Sequence, residues 1–153
     1  MRKQAFTLIE VVITVSLFAM LAGIGFPLYR QSRGAALLNE SATRIAQELR
    51  TARAQSTSGL NNSKHGVYFE SNANDKDRMV LYEGESYALR SSALDRVTVF
   101  ESILSVSTSL TNGEVVYDKI SGTPSAVGTI TLSHSILGSR TISINALGIV
   151  DNE

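Results

Sequence analysis

One carboxylate in this sequence has no obvious partner near it. Glu10 stands at the start of an apolar run, and residues 11–29 contain no charged side chain. Such a run is about as long as a helix needs to cross the hydrocarbon core of a bilayer. Burying a carboxylate in lipid costs roughly 2.5–3.5 kcal/mol or more, so Glu10 requires a compensating group or access to water.

A second candidate for chemistry is an oxygen-rich segment that offers the ligand atoms calcium prefers. The segment lacks the regular spacing of an EF-hand loop, and two basic residues are interspersed in it. A plain turn is therefore the favoured interpretation, and no cofactor is expected. The weak candidate ligands are Asn72, Asn74, Asp75 and Asp77.

The remaining residue types that often do chemistry are isolated. His65 and His134 stand alone near the ends of predicted strands, where we expect ordinary surface or turn residues. The sequence has no Gly-x-Ser-x-Gly, no phosphate-binding glycine loop and no His-Glu-x-x-His. It also has no cysteine, which excludes disulfides and thiolate metal sites. We therefore expect no enzymatic activity.

Length and charge limit the classes of partner. The chain has 153 residues and a formal net charge of zero, which predicts one domain and no strong attraction to nucleic acid. Several arginines follow the apolar run, but Glu40 and Glu48 interleave them. A solvated helix face is favoured over a nucleic-acid patch.

The N-terminus has two ordinary explanations. A secretory signal peptide needs a basic start, a short apolar run and a small-residue cleavage site, and Arg2 and Lys3 supply the start. However, Glu10 interrupts the entry to the run, and the run continues past Ala22. A plain one-pass anchor fits the length but leaves Glu10 unexplained.

A third explanation comes from residues 5–10, Ala-Phe-Thr-Leu-Ile-Glu, preceded by a short basic leader. This segment resembles the processing site of type IV pilins and of the pseudopilins of type II secretion. The resemblance implies a leader of residues 1–5, cleavage by a prepilin peptidase between Ala5 and Phe6, and methylation of the new Phe6 amine. It also implies that Glu10 pairs with the Phe6 amine of a neighbouring subunit. The family usually has glycine before the cut, where this chain has Ala5.

The same resemblance implies a structural subunit of a pilus-like filament or secretion pseudopilus, of the minor type. Its implied partners are other pilin or pseudopilin subunits, the prepilin peptidase, the membrane and the inner-membrane assembly machinery. Its implied location is the bacterial cytoplasmic membrane, with the head outside the cytoplasm, and then the filament. A membrane-anchored extracytoplasmic binding module that never polymerises remains the alternative.

The apolar segment, residues 6–29, contains a stretch of low helix propensity. Gly23, Gly25 and Pro27 are poor helix formers, and proline lacks the N–H that a helix interior uses. We predict a helix break here, either a kink or a locally unwound stretch. The resemblance to filament pilins implies the locally unwound stretch.

An amphipathic helix half follows over residues 30–59. Apolar residues recur at steps of three and four, which predicts one buried stripe. Gly59 is a plausible stop signal, so the whole helix is predicted to cover residues 6–58. The stripe consists of Leu38, Ala42, Ile45, Leu49 and Ala52.

Residues 60–153 alternate in short runs between turns, which predicts an antiparallel β-sheet head packed on the helix stripe. Candidate strands are 66–70, 79–83, 86–89, 97–100, 103–106, 115–118, 129–133 and 141–145, with 149–150 ending the last. The fold class is α+β. Residues 37–55 and 141–150 resemble H-type minor pseudopilins and related minor pilins, which implies two sheets and a place near a filament tip.

Overall fold

The computed structural model describes residues 7–72 and 75–152. One α-helix, α1, spans Leu8–Thr57 and precedes all the strands that the described residues form. The chain divides into two compact units, Met1–Ala35 and Ala36–Glu153, and α1 contributes residues to both. The second unit is called the head below.

The head contains two four-stranded sheets in which every neighbouring pair of strands is antiparallel. The first sheet has the order β3-β2-β1-β5 and the second has the order β4-β6-β7-β8. This arrangement confirms the predicted α+β class. The strands are β1 (His65–Glu70), β2 (Arg78–Glu83), β3 (Arg96–Val99), β4 (Leu104–Thr108), β5 (Glu114–Tyr117), β6 (Gly128–His134), β7 (Gly138–Ile144) and β8 (Val150–Asn152).

The core of the head forms around the predicted stripe of α1. All five stripe residues are buried, as is Ala46 beside them. They pack in one cluster with the inward-facing residues of both sheets, among them Val67, Val115, Ile130 and Ile142. Each fully buried Leu, Ile or Val side chain contributes about 1.5–3 kcal/mol, so this cluster is the main stabilising term.

The helix α1 ends where the sequence predicted, just before Gly59. The helix ends at Thr57, and Gly59 adopts a left-handed conformation with φ of 67°. Glycine takes this conformation without the penalty that a Cβ atom imposes, which is why it commonly terminates helices.

Two strand predictions are wrong. The predicted strand 86–89 is a short 3₁₀ turn at Tyr87–Leu89, in which the Tyr87 ring stacks on Tyr68 of the first sheet. Residues 149–150 do not end the preceding strand. The Asn145 side chain accepts the N–H groups of Leu147 and Ile149, at 3.0 and 2.9 Å, so the chain turns back and β8 pairs with β7.

Two arginines of the predicted solvated face of α1 also form hydrogen bonds to distant parts of the chain. Arg50 donates to the carbonyl of Val150 at 3.0 Å, and Arg53 donates to the carbonyl of Gly122 at 3.2 Å. Gly122 has φ of 65°, and a Cβ there would lie 2.6 Å from the Thr57 methyl group. The close contact between α1 and this loop therefore depends on glycine.

A fragment that begins at Arg30 is expected to fold without the apolar run, because every core residue of the head lies after it. Circular dichroism is expected to show mixed helix and sheet with one cooperative thermal transition. The full chain in detergent serves as the control and is expected to melt at a similar temperature. A fragment that stays aggregated or disordered contradicts this expectation.

Candidate assembly site

The start of α1 places Glu10 in its first turn. The carbonyl of Thr7 accepts the N–H groups of Glu10 at 3.1 Å and of Val11 at 3.3 Å. A carboxylate in the first turn is stabilised by the positive end of the helix dipole. The Glu10 residue is exposed, and it makes no ion pair with any other residue that the structure describes.

The polar side chains that follow Glu10 in α1 are satisfied by the helix itself. Thr14 donates its hydroxyl to the carbonyl of Glu10, and Ser16 donates to the carbonyl of Val12 at 2.7 Å. Hydroxyls bonded in this way carry a lower cost in an apolar environment. Glu10 is thus the one group in this turn that needs a partner from outside the helix.

The apolar residues of this segment are exposed on every side of the helix. The large side chains of residues 8–21 have between 50% and 83% of their surface exposed. A helix that is hydrophobic all round is normally buried in a large core or a membrane. An apolar surface of this kind requires a covering partner.

Among the described residues, no helix has both the length and the apolar character needed to cross a membrane.

The predicted processing residues, Ala5 and Phe6, lie outside the described residues. The predicted helix break does not interrupt α1, whose helical backbone continues through Gly23, Gly25 and Pro27. Kinking or unwinding of this stretch in a packed filament stays a prediction.

The oxygen-rich segment contains a buried structural carboxylate. Asp77, immediately before β2, accepts the N–H of Asn72 with one oxygen at 2.8 Å and the N–H of Val106 with the other at 2.6 Å. Val106 belongs to β4, so this side chain joins the two sheets. Asp75 is exposed and accepts the N–H of Lys76 at 2.8 Å. Asn74 lies outside the described residues.

Both histidines are buried, which corrects the expectation of surface residues. The imidazole Nε2 of His65 lies 3.8 Å from the Glu83 carboxylate, and burial lowers the pKa of His65. His134 accepts the N–H groups of Ile136 and Leu137 on its Nδ1, at 3.1 and 3.3 Å, and so fixes the turn after β6. The described part of the chain holds no group of three or more His, Asp or Glu side chains suited to a metal ion.

Sequence reasoning missed an aromatic cluster on the outer face of the first sheet. The rings of Tyr68 and Tyr87 stack with centroids 3.8 Å apart, and the Arg90 guanidinium lies 3.7 Å from the Tyr87 centroid. Tyr82 donates to Glu114, and burial is the main cause that raises the pKa of Tyr82. Tyr82, Tyr87 and Arg90 are close in sequence, but their contacts with Tyr68 and Glu114 depend on the pairing of β1 with β2 and β5, which the sequence alone does not give.

Comparison with known proteins finds one sequence motif at the start of the chain and two solved structures with a similar fold. Residues 1–26 match the prokaryotic N-terminal methylation motif. The fold is similar to two crystal structures of the type IV minor pilin FimU of Pseudomonas aeruginosa PAO1. The P65 form is 18% identical with a TM-score of 0.55, and the alignment covers 76% of this chain and 92% of that chain. The P21 form is 17% identical with a TM-score of 0.57, covering 76% and 87%. The search of curated proteins finds no significant match.

The chain therefore carries a prokaryotic N-terminal methylation motif at its start, and its fold is similar to that of a type IV minor pilin.

Proposed function

We propose that the chain is a minor subunit of a type IV pilus-like filament, assembled through its N-terminal helix after removal of residues 1–5. The observation that carries this proposal is the exposed apolar surface of residues 8–21, which lies within the methylation motif. In this scheme the bacterial cytoplasmic membrane covers that surface before assembly, with the head outside the cytoplasm. Neighbouring subunits cover it afterwards.

The proposed role of Glu10 arises when the helix leaves the membrane and packs against neighbouring subunits. Cleavage between Ala5 and Phe6 creates a positive amine four residues before Glu10. In a staggered bundle, Glu10 of one subunit pairs with the Phe6 amine of the next, and each charge offsets the burial cost of the other. A buried pair of this kind also sets the axial register of subunits, since a displaced helix leaves both charges unpaired.

The minor role is supported by the likeness of the fold, over 76% of this chain, to minor pilin structures. The remaining partners of the proposal are the prepilin peptidase, which removes the leader, and the inner-membrane machinery, which inserts the subunit. The pseudopilus of type II secretion is built by the same physical scheme.

The mature chain is expected to begin at Phe6 with an N-methylated amine, because the junction with Ala5 matches the processing site of the family. Intact mass spectrometry of protein from the native host measures the mass of the mature chain directly. An Ala5→Lys variant is the control and is expected to keep its leader. A wild-type chain that begins at Met1 or after Ala22 contradicts the pilin function and favours an anchored, non-polymerising module.

A further inference from the structure

The solvent side of the second sheet carries only hydroxyl side chains along its three longest strands. The alternate residues of the same strands, such as Val106, Leu132 and Ile142, point inward and are buried. About 18% of the residues in the whole chain are charged, yet none lies on this side of β4, β6 or β7, and the neighbouring β8 adds only the carboxylate of Asp151 at the edge, opposite Ser143. The surface is called the hydroxyl face and consists of Ser105, Ser107, Thr129, Thr131, Ser133, Ser139, Thr141 and Ser143.

Strand register arranges these hydroxyls in rows. One row runs Ser105, Ser133, Ser139 across the three strands. The central row runs Ser107, Thr131, Thr141. Strands in a sheet lie about 4.8 Å apart, and alternate residues on one strand lie about 6.7 Å apart. The hydroxyl face is therefore a regular grid of groups that each donate and accept hydrogen bonds.

The hydroxyls of the grid are available to a ligand. Within residues 7–72 and 75–152, only Thr129 among the eight has a hydroxyl with a protein neighbour at hydrogen-bonding distance, Ser109 at 3.4 Å. Serine and threonine side chains are short, so holding them in place on binding costs little rotamer entropy. A ligand can bond to several of them at once without breaking bonds inside the protein.

A concavity of about 530 Å³ continues the hydroxyl face at the end of β4 and β6. Ser105 and Ser133 belong to both, and Ser102, Ser135 and His134 add further polar groups. Because Nδ1 of His134 accepts two backbone N–H groups, the neutral imidazole carries its proton on Nε2 and is a donor there. Ile103 gives the concavity an apolar side, so it offers both the hydroxyl and the C–H contacts that a sugar ring makes.

We propose that the hydroxyl face and this concavity bind a neutral polysaccharide. An anionic polymer is disfavoured because the face has no cation to release counterions from it. A protein partner is disfavoured because serine is depleted in protein interfaces and both serine and threonine are rare among hot spots. A neutral hydroxylated polymer matches the face in charge and in hydrogen-bonding capacity.

The test uses the full chain purified in detergent and measures its retention on amorphous cellulose and on chitin. Wild-type protein is expected to be retained on at least one of them at low and at high salt, since a neutral polymer forms no ion pair with the face. Ser107→Ala, Thr131→Val and Thr141→Val, combined in one protein, are expected to lower the affinity about tenfold or more. The matched control removes the same hydroxyls elsewhere, with Ser71→Ala, Thr43→Val and Thr51→Val, and is expected to bind as wild type does.

Thermal melting shows whether each variant is folded. If the triple variant of the face unfolds, Thr131→Lys replaces it, because a charge in the central row is expected to weaken binding of a neutral polymer. No retention of the wild type on either polymer overturns the proposal, as does equal retention of the face variant. Retention that disappears at high salt, or self-association that the face variant abolishes without any polymer binding, also overturns it.

Discussion

Replacing Asp77 by alanine is expected to lower the free energy of unfolding of the head by about 3–5 kcal/mol. The carboxylate accepts the N–H groups of Asn72 and Val106, and the bond to Val106 is buried. A hydrogen bond to a charged group contributes about 1.5–3 kcal/mol, and alanine removes two of them. Water cannot replace the lost acceptor at the buried N–H, so part of the loss is the cost of leaving that donor unsatisfied.

Urea unfolding of the fragment that begins at Arg30 measures this loss. Asp75→Ala is the matched control, because the Asp75 residue is exposed and its carboxylate bonds only to the N–H of the adjacent Lys76 among the described residues. We expect the control to change the free energy of unfolding by less than about 0.5 kcal/mol. Asp77→Asn should also destabilise the head, since its amide group presents a donor where both contacts need an acceptor. Equal stability of Asp75→Ala and Asp77→Ala would show that the carboxylate does not join the sheets.

Glu10→Leu is expected to abolish most incorporation of the subunit into filaments while leaving it in the membrane. The change removes a carboxylate from an apolar segment, so membrane anchoring is expected to stay equal or strengthen. In the filament the same change leaves the Phe6 amine of a neighbour buried without its partner. Breaking a buried pair by removing one member costs about 3–5 kcal/mol, and each 1.4 kcal/mol is a factor of ten in an equilibrium constant.

The measurement compares the amount of this subunit in sheared filaments and in membranes, for wild type and Glu10→Leu. Thr14→Val is the control, since it makes the same helix more apolar one turn later without removing a charge. Cleavage between Ala5 and Phe6 is expected to continue in both variants, because the peptidase reads mainly the junction. If filaments are absent altogether, loss of filament initiation is the result to score. Normal incorporation of Glu10→Leu rejects the pairing role and leaves Glu10 as a tolerated interfacial residue.

The sequence was most informative where periodicity alone decides which face is buried. The stripe from Leu38 to Ala52 was predicted because a helix repeats every three to four residues, and every member is buried. Most strands were predicted because alternating apolar residues are typical of sheets with one buried face. The class of fold follows from these two periods together.

The sequence was least informative where residues distant in the chain meet. Arg50 and Arg53 lie in a helix segment with the residue types of a solvated face, and only the structure shows that they donate to the carbonyls of Val150 and Gly122. Asp77 lies in a segment with the residue types of a turn. It joins the two sheets only because β4 lies close enough for the N–H of Val106 to reach its carboxylate. The hydroxyl face was also missed, since the rows exist only once strand register is known.

The contact between Arg50 and Val150 has a consequence for the time course of folding. It joins residues 100 positions apart, and the second sheet likewise has to close on a helix that precedes it in the chain. Proteins dominated by such distant contacts fold in milliseconds to seconds, because the entropy cost of closing long loops comes before the free energy gained by burying apolar side chains. A chain that leaves the ribosome with α1 complete therefore still lacks most of the partners of its buried stripe. Until β6 and β7 follow, that stripe is exposed to other newly made chains and is prone to associate with them.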